Sequence, residues 1–228
     1  MKLLRLRLAR VTTSRRWGVA RVEAVLVVAV LVLLALVFVV PLTRQSQQPE
    51  SVRRASCKGN LKEIARAFEM WASEHGDKFP MQLAESQGGA MEQALAGRVA
   101  PSLMRMSNEL ASAKILVCPS DRERAPRPES FDGLTDQKIS YFIGADAISG
   151  NSQHLLAGDR NLALLPSGTQ VQGLVIITNY NGVRWTKMLH EGNGNVALAD
   201  GKVRQATTAD LRGLLEASGS MTNRLVFP

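Results

Sequence analysis

An unbroken run of 17 apolar residues, 24–40, constrains this 228-residue chain more than any other feature. As a helix the run rises about 26 Å, slightly less than the ~30 Å hydrocarbon core of a bilayer. Beginning the helix at Val19 extends it to about 33 Å, but brings Arg21 and Glu23 to the membrane edge. The sequence therefore predicts one transmembrane helix within residues 19–42.

The formal net charge of +8 comes mostly from the residues before this run. Residues 1–18 hold six basic side chains and no acid, which leaves 22 basic against 20 acidic residues in the remainder. By the positive-inside rule, this asymmetry indicates a cytoplasmic N-terminus and a head on the far side of the membrane. We expect no nucleic-acid partner. The alternative is a nucleic-acid-binding stripe on one helix, formed by Arg53, Arg54, Lys58, Lys62 and Arg66. The same basic residues would also suit a helix face that is exposed to solvent or to anionic lipid.

A cleaved secretory signal would also show a basic region followed by an apolar one. Here the apolar run exceeds the usual ~7–15 residues, and residues 41–44 offer no small-x-small cleavage site. The sequence therefore favours a retained membrane segment over a signal that is lost at this point.

Residues 16–23 combine the end of a basic leader with Gly18 and a lone Glu23. This junction resembles the prepilin signal of the type IV pilin-like and type II secretion pseudopilin family. The resemblance implies that a prepilin peptidase cuts after Gly18 and that Val19 becomes an N-methylated terminus. It also implies that Glu23 pairs with the terminal amine of a neighbouring subunit, since a carboxylate in lipid needs a cation.

The match to that signal has two departures. Val19 stands where the family usually has Phe, and Arg21 stands where it has an apolar residue. Arg21 could reach the headgroups or pair with Glu23. A plain signal anchor with a chance Gly and Glu is the alternative.

Later patches resemble pseudopilin-like proteins of planctomycete and verrucomicrobial type, in the same order. They are residues 57–64 leading through Trp71 to 75–80, then 117–121, 140–142, and His190 followed after nine residues by Asp200-Gly201. The resemblance implies an α+β, pilin-like fold in which a long N-terminal helix, with a membrane half and a soluble half, packs on an antiparallel β-sheet. The chain then divides into a leader (1–18), a transmembrane or assembly helix (19–42) and a periplasmic head (43–228).

Local patterns predict the elements of the head. Apolar residues between Val52 and Ala72 recur at steps of three and four, which indicates a helix that follows Pro49 and stops before Gly76. Asp200-Gly201 is a strong hairpin signal, and Thr207 with Asp210 opens a short C-terminal helix. The predicted strands are 115–118, 140–145, 154–157, 171–178, 184–189, 195–199 and 202–205.

Cys57 and Cys118 are the two cysteines of the chain, and an oxidising exterior would allow them to form a disulfide. Two reduced core thiols are the alternative. A catalytic cysteine would need a positioned histidine, and nothing in the sequence brings His75 or His154 near either thiol.

Asp159, His190 and Asp200 lie at strand ends and are candidate ligands of a divalent cation such as calcium, although a histidine argues against calcium. The alternative is that Asp159 and His190 bind loop backbone while Asp200 serves its turn. No paired catalytic carboxylates, nucleophile elbow or zinc spacing is visible, so we expect no enzyme and no cofactor.

These observations predict a structural pseudopilin or minor pilin of a type II secretion or type IV pilus-like fibre. Its partners would be a prepilin peptidase, other pilin or pseudopilin subunits, the inner-membrane assembly machinery and membrane lipid. It would lie in the bacterial inner membrane as a single-pass protein and, after assembly, in a pilus or pseudopilus. The alternative is a membrane-anchored periplasmic binding protein that does not polymerise.

Overall fold

The computed structural model describes residues 23–35 and 49–228, which belong to separate compact units. Residues 23–35 form a helix, α1, whose apolar side chains are exposed. Pro49–Pro228 form the second unit, here called the head. Its helices are α2 (Glu50–Glu74), α3 (Met91–Leu95), α4 (Ala100–Arg105) and α5 (Thr208–Ala217). Its strands are β1 (Tyr141–Gly144), β2 (Leu155–Asp159), β3 (Leu162–Leu164), β4 (Gly173–Ile177), β5 (Val183–Trp185), β6 (Gly194–Leu198), β7 (Val203–Ala206) and β8 (Asn223–Phe227).

Six of these strands form one antiparallel sheet in the order β4-β8-β1-β2-β6-β7. Strands β3 and β5 form a separate antiparallel pair. The last strand of the chain, β8, lies between β1 and β4, so it connects the edge strand β4 to the rest of the sheet. Strands β4 and β7 are its two edges.

Both faces of the six-stranded sheet are covered. Helix α2 packs on one face through Leu61, Ile64 and Phe68, which come at steps of three and four and are fully buried. Helix α5 and the β3–β5 pair pack on the opposite face. Because successive side chains of a strand point to opposite faces, Phe142 and its neighbour Ile143 are buried in different cores.

The predicted fold class was wrong in its long N-terminal helix. The head is α+β with an antiparallel sheet, as expected, but no helix within residues 23–35 and 49–228 combines the length and apolar character needed to cross a membrane. The longest described helix, α2, begins directly after Pro49 and has 25 residues. It turns one apolar side to the sheet and carries charges such as Arg54, Lys58 and Lys62 on the rest, because it is a surface helix of the head. A pilin-like helix with a membrane half and a soluble half is therefore corrected to a separate amphipathic helix. The predicted boundaries at residues 18 and 42 lie outside the described residues and stay predictions.

Most of the local predictions for the head are confirmed. The β6–β7 hairpin turns at Asp200-Gly201, with Gly201 at φ +77°, and Thr207 and Asp210 form the capping box that opens α5. One predicted strand, 115–118, is wrong. There Ala113–Leu116 form a 3₁₀ helix that begins with Ser112 accepting a hydrogen bond from Lys114 N. Strand β5 covers only the start of the predicted 184–189, and strands β3 and β8 were not predicted.

Candidate functional site

A disulfide bond joins Cys57, in the second turn of α2, to Cys118, and both residues are fully buried. The predicted pairing is confirmed. The bond links residues 61 positions apart and fixes α2 to the segment that precedes Asp121.

His190 lies beside this disulfide and between two carboxylates. Its Nδ1 is 3.0 Å from Glu50 Oε1, and its Nε2 is 3.3 Å from Asp159 Oδ2 and 3.4 Å from Cys118 Sγ. Its side chain is fully buried, and its backbone adopts the left-handed region with φ 52°. The first turn of α2, the end of β2 and the disulfide thus meet at one imidazole.

The charges around His190 favour its protonated form. Burial lowers the pKa of His190, but hydrogen bonds and charges from Asp159 and Glu50 outweigh burial and raise it above the usual value. Burial raises the pKa of Glu50, but hydrogen bonds with His190, Arg53 and Ser120 outweigh it, so that pKa is lowered. The arrangement is an imidazole with a raised pKa, held between two carboxylates.

A second ionic group lies next to the first. Arg160 Nε and Nη2 donate to the two oxygens of Asp121 at 2.6 and 2.9 Å, and Nη2 also contacts Glu123 Oε2 at 2.7 Å. Arg160 and Asp121 are buried, and Ser140 Oγ donates to Asp121 Oδ2 at 2.8 Å. Ser120 Oγ, one residue before Asp121, donates to Glu50 Oε1 at 2.9 Å. The two groups form one buried polar cluster, defined by Glu50, Asp121, Asp159, Arg160 and His190.

The end of β2 supplies three consecutive residues to this region. Asp159 Oδ2 accepts from Asn195 N at 2.6 Å and Asn195 Nδ2 at 2.9 Å, while Arg160 binds Asp121. Asn161 Nδ2 donates to the carbonyl oxygens of Thr186, Leu189 and Asn193. Asn161 therefore holds the loop that carries His190, and the end of β2 positions Asp159 and Arg160.

The structure brings together two of the three predicted metal ligands. Asp159 and His190 are in contact, and they bind each other's side chains rather than loop backbone alone. Asp200 lies in the β6–β7 turn, where it accepts hydrogen bonds from Lys202 N at 3.1 Å and Lys202 Nζ at 2.8 Å. Burial raises the pKa of Asp200, but its bonds with Lys202 outweigh burial and lower it. Asp200 thus serves its turn, and it makes no hydrogen bond or ion pair with Asp159 or His190 in the head.

The other predicted site residues fall at the N-terminus. Gly18 and Val19 lie outside the described residues. Glu23 is in α1 and is exposed.

Sequence reasoning missed Glu50, Asp121 and Arg160 as cluster members. It also considered only His75 and His154 as partners of the cysteines, whereas His190 is the histidine beside Cys118. A signal was present, because residues 117–121 and 140–142 and His190, which carry the family resemblance, all converge on this cluster. Glu50 gave no such signal, since it stands in a polar stretch after Pro49.

Replacing His190 with glutamine should destabilise the head by about 3 kcal/mol below about pH 6, since it leaves the buried Asp159 carboxylate without its cation. A raised pKa in the folded state means that the contribution of His190 is complete below its unfolded pKa of ~6.5 and is lost as pH rises through the folded value. The deficit should therefore shrink toward about pH 9. Thermal unfolding of the full chain in mild detergent, followed by circular dichroism across this range, measures it.

His154→Gln is the matched control for that measurement, because His154 lies outside the cluster, and its deficit should be smaller. A deficit for His190→Gln that stays constant from about pH 6 to about pH 9 would contradict an ionic role for His190.

The cluster connects four segments of the head. The two cysteine sulfurs beside it are bonded to each other, and each of its carboxylates contacts a cation or an amide donor. It fastens the start of α2, the segment around residue 120, the end of β2 and the loop before β6. Comparison with protein-family models, curated proteins and solved structures finds no match to this chain.

Proposed function

We propose that this chain is a structural subunit of the pseudopilin or minor pilin class, which assembles into a type II secretion or type IV pilus-like fibre. The observation that carries the proposal is the concentration of cross-links on the first turns of α2. These turns follow directly, along the chain, on the linker from the apolar run 24–40.

Three residues in two turns of α2 are bound to distant parts of the head. Glu50 binds His190, Arg54 Nη2 donates to the carbonyl oxygen of His190 at 2.9 Å, and Cys57 is covalently bonded to Cys118. When a subunit is moved or held through its N-terminal segment, force passes to the head through the start of α2. Covalent and ionic bonds at this position oppose separation of α2 from the sheet, which supports a mechanical role.

The N-terminal part supplies the second support. Residues 23–35 are helical, and every side chain after Glu23, such as those of Val25 and Leu33, is apolar and exposed. An apolar surface of this extent is expected to be buried against lipid or against other copies of the chain. Glu23, on the same helix, would pair with the terminal amine of a neighbouring Val19 once a prepilin peptidase has removed the leader.

The disulfide supports a position of the head on the periplasmic side of the membrane. Disulfide bonds persist in oxidising compartments such as the periplasm and are rare in the cytoplasm. With a basic tail on one side of residues 24–40 and a disulfide-bonded head on the other, we assign the head to the periplasmic face of the inner membrane.

Membrane-purified protein should begin at Val19 when expressed with a prepilin peptidase, and intact mass spectrometry with N-terminal sequencing measures this. Gly18→Val should abolish cleavage, because a bulky residue replaces the glycine before the cut, and the chain should then begin at Met1. Gly59→Val is the control, since Gly59 has open space around its Cα and lies far along the chain from the cut.

A wild-type chain that begins at Met1, in cells that cleave a control prepilin, would contradict assembly as a pseudopilin. It would favour a membrane-anchored periplasmic binding protein, for which the head offers one specific feature. A groove of about 700 Å³ between α2 and the β6–β7 hairpin is lined by four basic residues and no acid. These are Lys58, Lys62, Lys202 and Arg204, which would suit an acidic partner.

A further inference from the structure

Three potential metal ligands meet at the disulfide. One sulfur from each of Cys57 and Cys118 and one ring nitrogen of His190 all lie within 4.8 Å of one another, and all three residues are buried. Within residues 23–35 and 49–228 this is the one such group. In the disulfide form the sulfurs are bonded to each other, so the group holds no metal in that state.

We propose that the dithiol form of this chain binds one Zn²⁺ ion through Cys57, Cys118 and His190, with Asp159 as the fourth ligand. Disulfide and zinc are then two alternative states of one site. The inference does not depend on the proposed function, because it concerns the redox chemistry of the head alone.

Distances around His190 match tetrahedral zinc coordination. Zinc bonds of ~2.3 Å to sulfur and ~2.0–2.1 Å to nitrogen place a sulfur and a nitrogen ligand about 3.6 Å apart. Cys118 Sγ and His190 Nε2 are 3.4 Å apart. A nitrogen and a carboxylate ligand come about 3.3 Å apart by the same geometry, and His190 Nε2 is 3.3 Å from Asp159 Oδ2. After reduction the two sulfurs have to separate to about 3.8 Å, and Asp159 has to move closer to them, because its carboxylate is not among the groups that already lie within 4.8 Å of one another.

The surroundings already hold these ligands as a zinc site requires. Metal-bound histidines usually donate their other ring N–H to a carboxylate, and Glu50 Oε1 occupies that position at Nδ1. Asn195 donates twice to Asp159 Oδ2, which fixes the carboxylate. The second oxygen, Asp159 Oδ1, is buried and has no hydrogen-bond partner in the head. A buried oxygen without a donor is suited to a cation.

A metal ion can reach the site from one side. A surface cavity of about 440 Å³ has His190 and Glu50 in its wall, and the Glu50 side chain is 22% exposed. The side chains of Cys57, Cys118 and His190 are all buried. An incoming ion therefore meets Glu50, the hydrogen-bond partner of the imidazole, before it reaches His190.

The exchange between the two states balances with a dithiol as the reductant and a disulfide as the oxidant. A dithiol reductant supplies two electrons and two protons to the Cys57–Cys118 bond and becomes a disulfide itself. Zinc then binds the two thiolates and the Nε2 lone pair, and the thiol protons and any Nε2 proton go to solvent. Oxidation by a disulfide of lower stability restores the bond and releases the ion.

Zinc binding by the full chain in mild detergent tests the proposal. We expect the protein refolded with a dithiol reductant, with free zinc removed, to retain one zinc per chain by plasma mass spectrometry, and the oxidised protein to retain none. Cobalt should give the thiolate-to-metal absorption of a tetrahedral site. His190→Gln should weaken zinc binding at least tenfold, as should Asp159→Asn, whereas the control His154→Gln should leave it unchanged.

Three results would overturn the proposal. The first is a reduced, folded chain that retains no zinc. The second is His190→Gln binding zinc as tightly as the wild type, which would mean that the thiols alone hold the ion. The third applies if the reduced chain unfolds. Added zinc should then restore the fold, as measured by circular dichroism. A reduced chain that stays unfolded in the presence of zinc would contradict the site. The start of the purified chain, at Val19 or Met1, is measured separately, so failure here leaves the proposed function intact.

Discussion

Arg160→Ala should lower the free energy of unfolding of the head by about 3–5 kcal/mol, because it leaves the buried Asp121 carboxylate without its cation. The Arg160 and Asp121 side chains are 2% and 0% exposed, so water cannot replace the lost hydrogen bonds. Thermal and denaturant unfolding of the full chain in detergent, followed by circular dichroism, measures the loss.

Arg224→Ala is the matched control for Arg160. Arg224 also binds one carboxylate through two nitrogens, that of Asp146, but these side chains are 43% and 30% exposed. Exposed ion pairs contribute about 0–1 kcal/mol, so the control should be nearly as stable as the wild type. Equal losses for the two variants would show that burial does not decide the contribution of these pairs. Combining Arg160→Met with Asp121→Leu should recover part of the loss, because neither charge of this pair is then left buried without its partner.

Loss of the Cys57–Cys118 bond should cost about 4 kcal/mol, the value that the chain-entropy model gives for a closed loop of this length. We expect the same loss from the double variant Cys57→Ala, Cys118→Ala as from reduction of the wild type with metal chelated. Thermal unfolding midpoints of the oxidised, reduced and double-alanine proteins measure it.

The double-alanine protein contains no cysteine, so a reductant should not change its unfolding midpoint. A wild-type midpoint that is the same with and without the disulfide would contradict the expected contribution. It would mean that α2 is held to the sheet by packing and ion pairs alone.

Local signals in the sequence predicted the elements of the head that depend on neighbouring residues. The apolar side of α2 follows from the spacing of Leu61, Ile64 and Phe68, and the start of α5 follows from the capping box of Thr207 and Asp210. Strand β8 could not be found in this way, because it is defined by pairing with β1 and β4, which are distant in sequence. The single long helix with a membrane half and a soluble half was wrongly inferred from the resemblance, because no local signal carries a helix across Pro49.

The candidate site likewise contains residues that the sequence predicted and residues that it did not. The disulfide was predictable because the chain has two cysteines, and Asp159 with His190 stood at strand ends where polar residues are informative. Glu50 contacts His190 across 140 positions, and Arg160 contacts Asp121 across 39. Neither pair produces a periodic pattern or a fixed spacing in the sequence. An ion pair needs only two opposite charges, and here the completed fold brings them together.

The terminal turns of a helix are ordinarily its fraying ends, whose amides exchange with solvent through small local openings. In α2 the first two turns instead carry Glu50, Arg54 and Cys57, each tied to a residue more than 60 positions away. Opening these turns requires breaking contacts with the loop before β6 and with the other cysteine. We therefore expect the N-terminal end of α2 to exchange its amides as slowly as the core of the head, so that force on the preceding chain is opposed by the stability of the core.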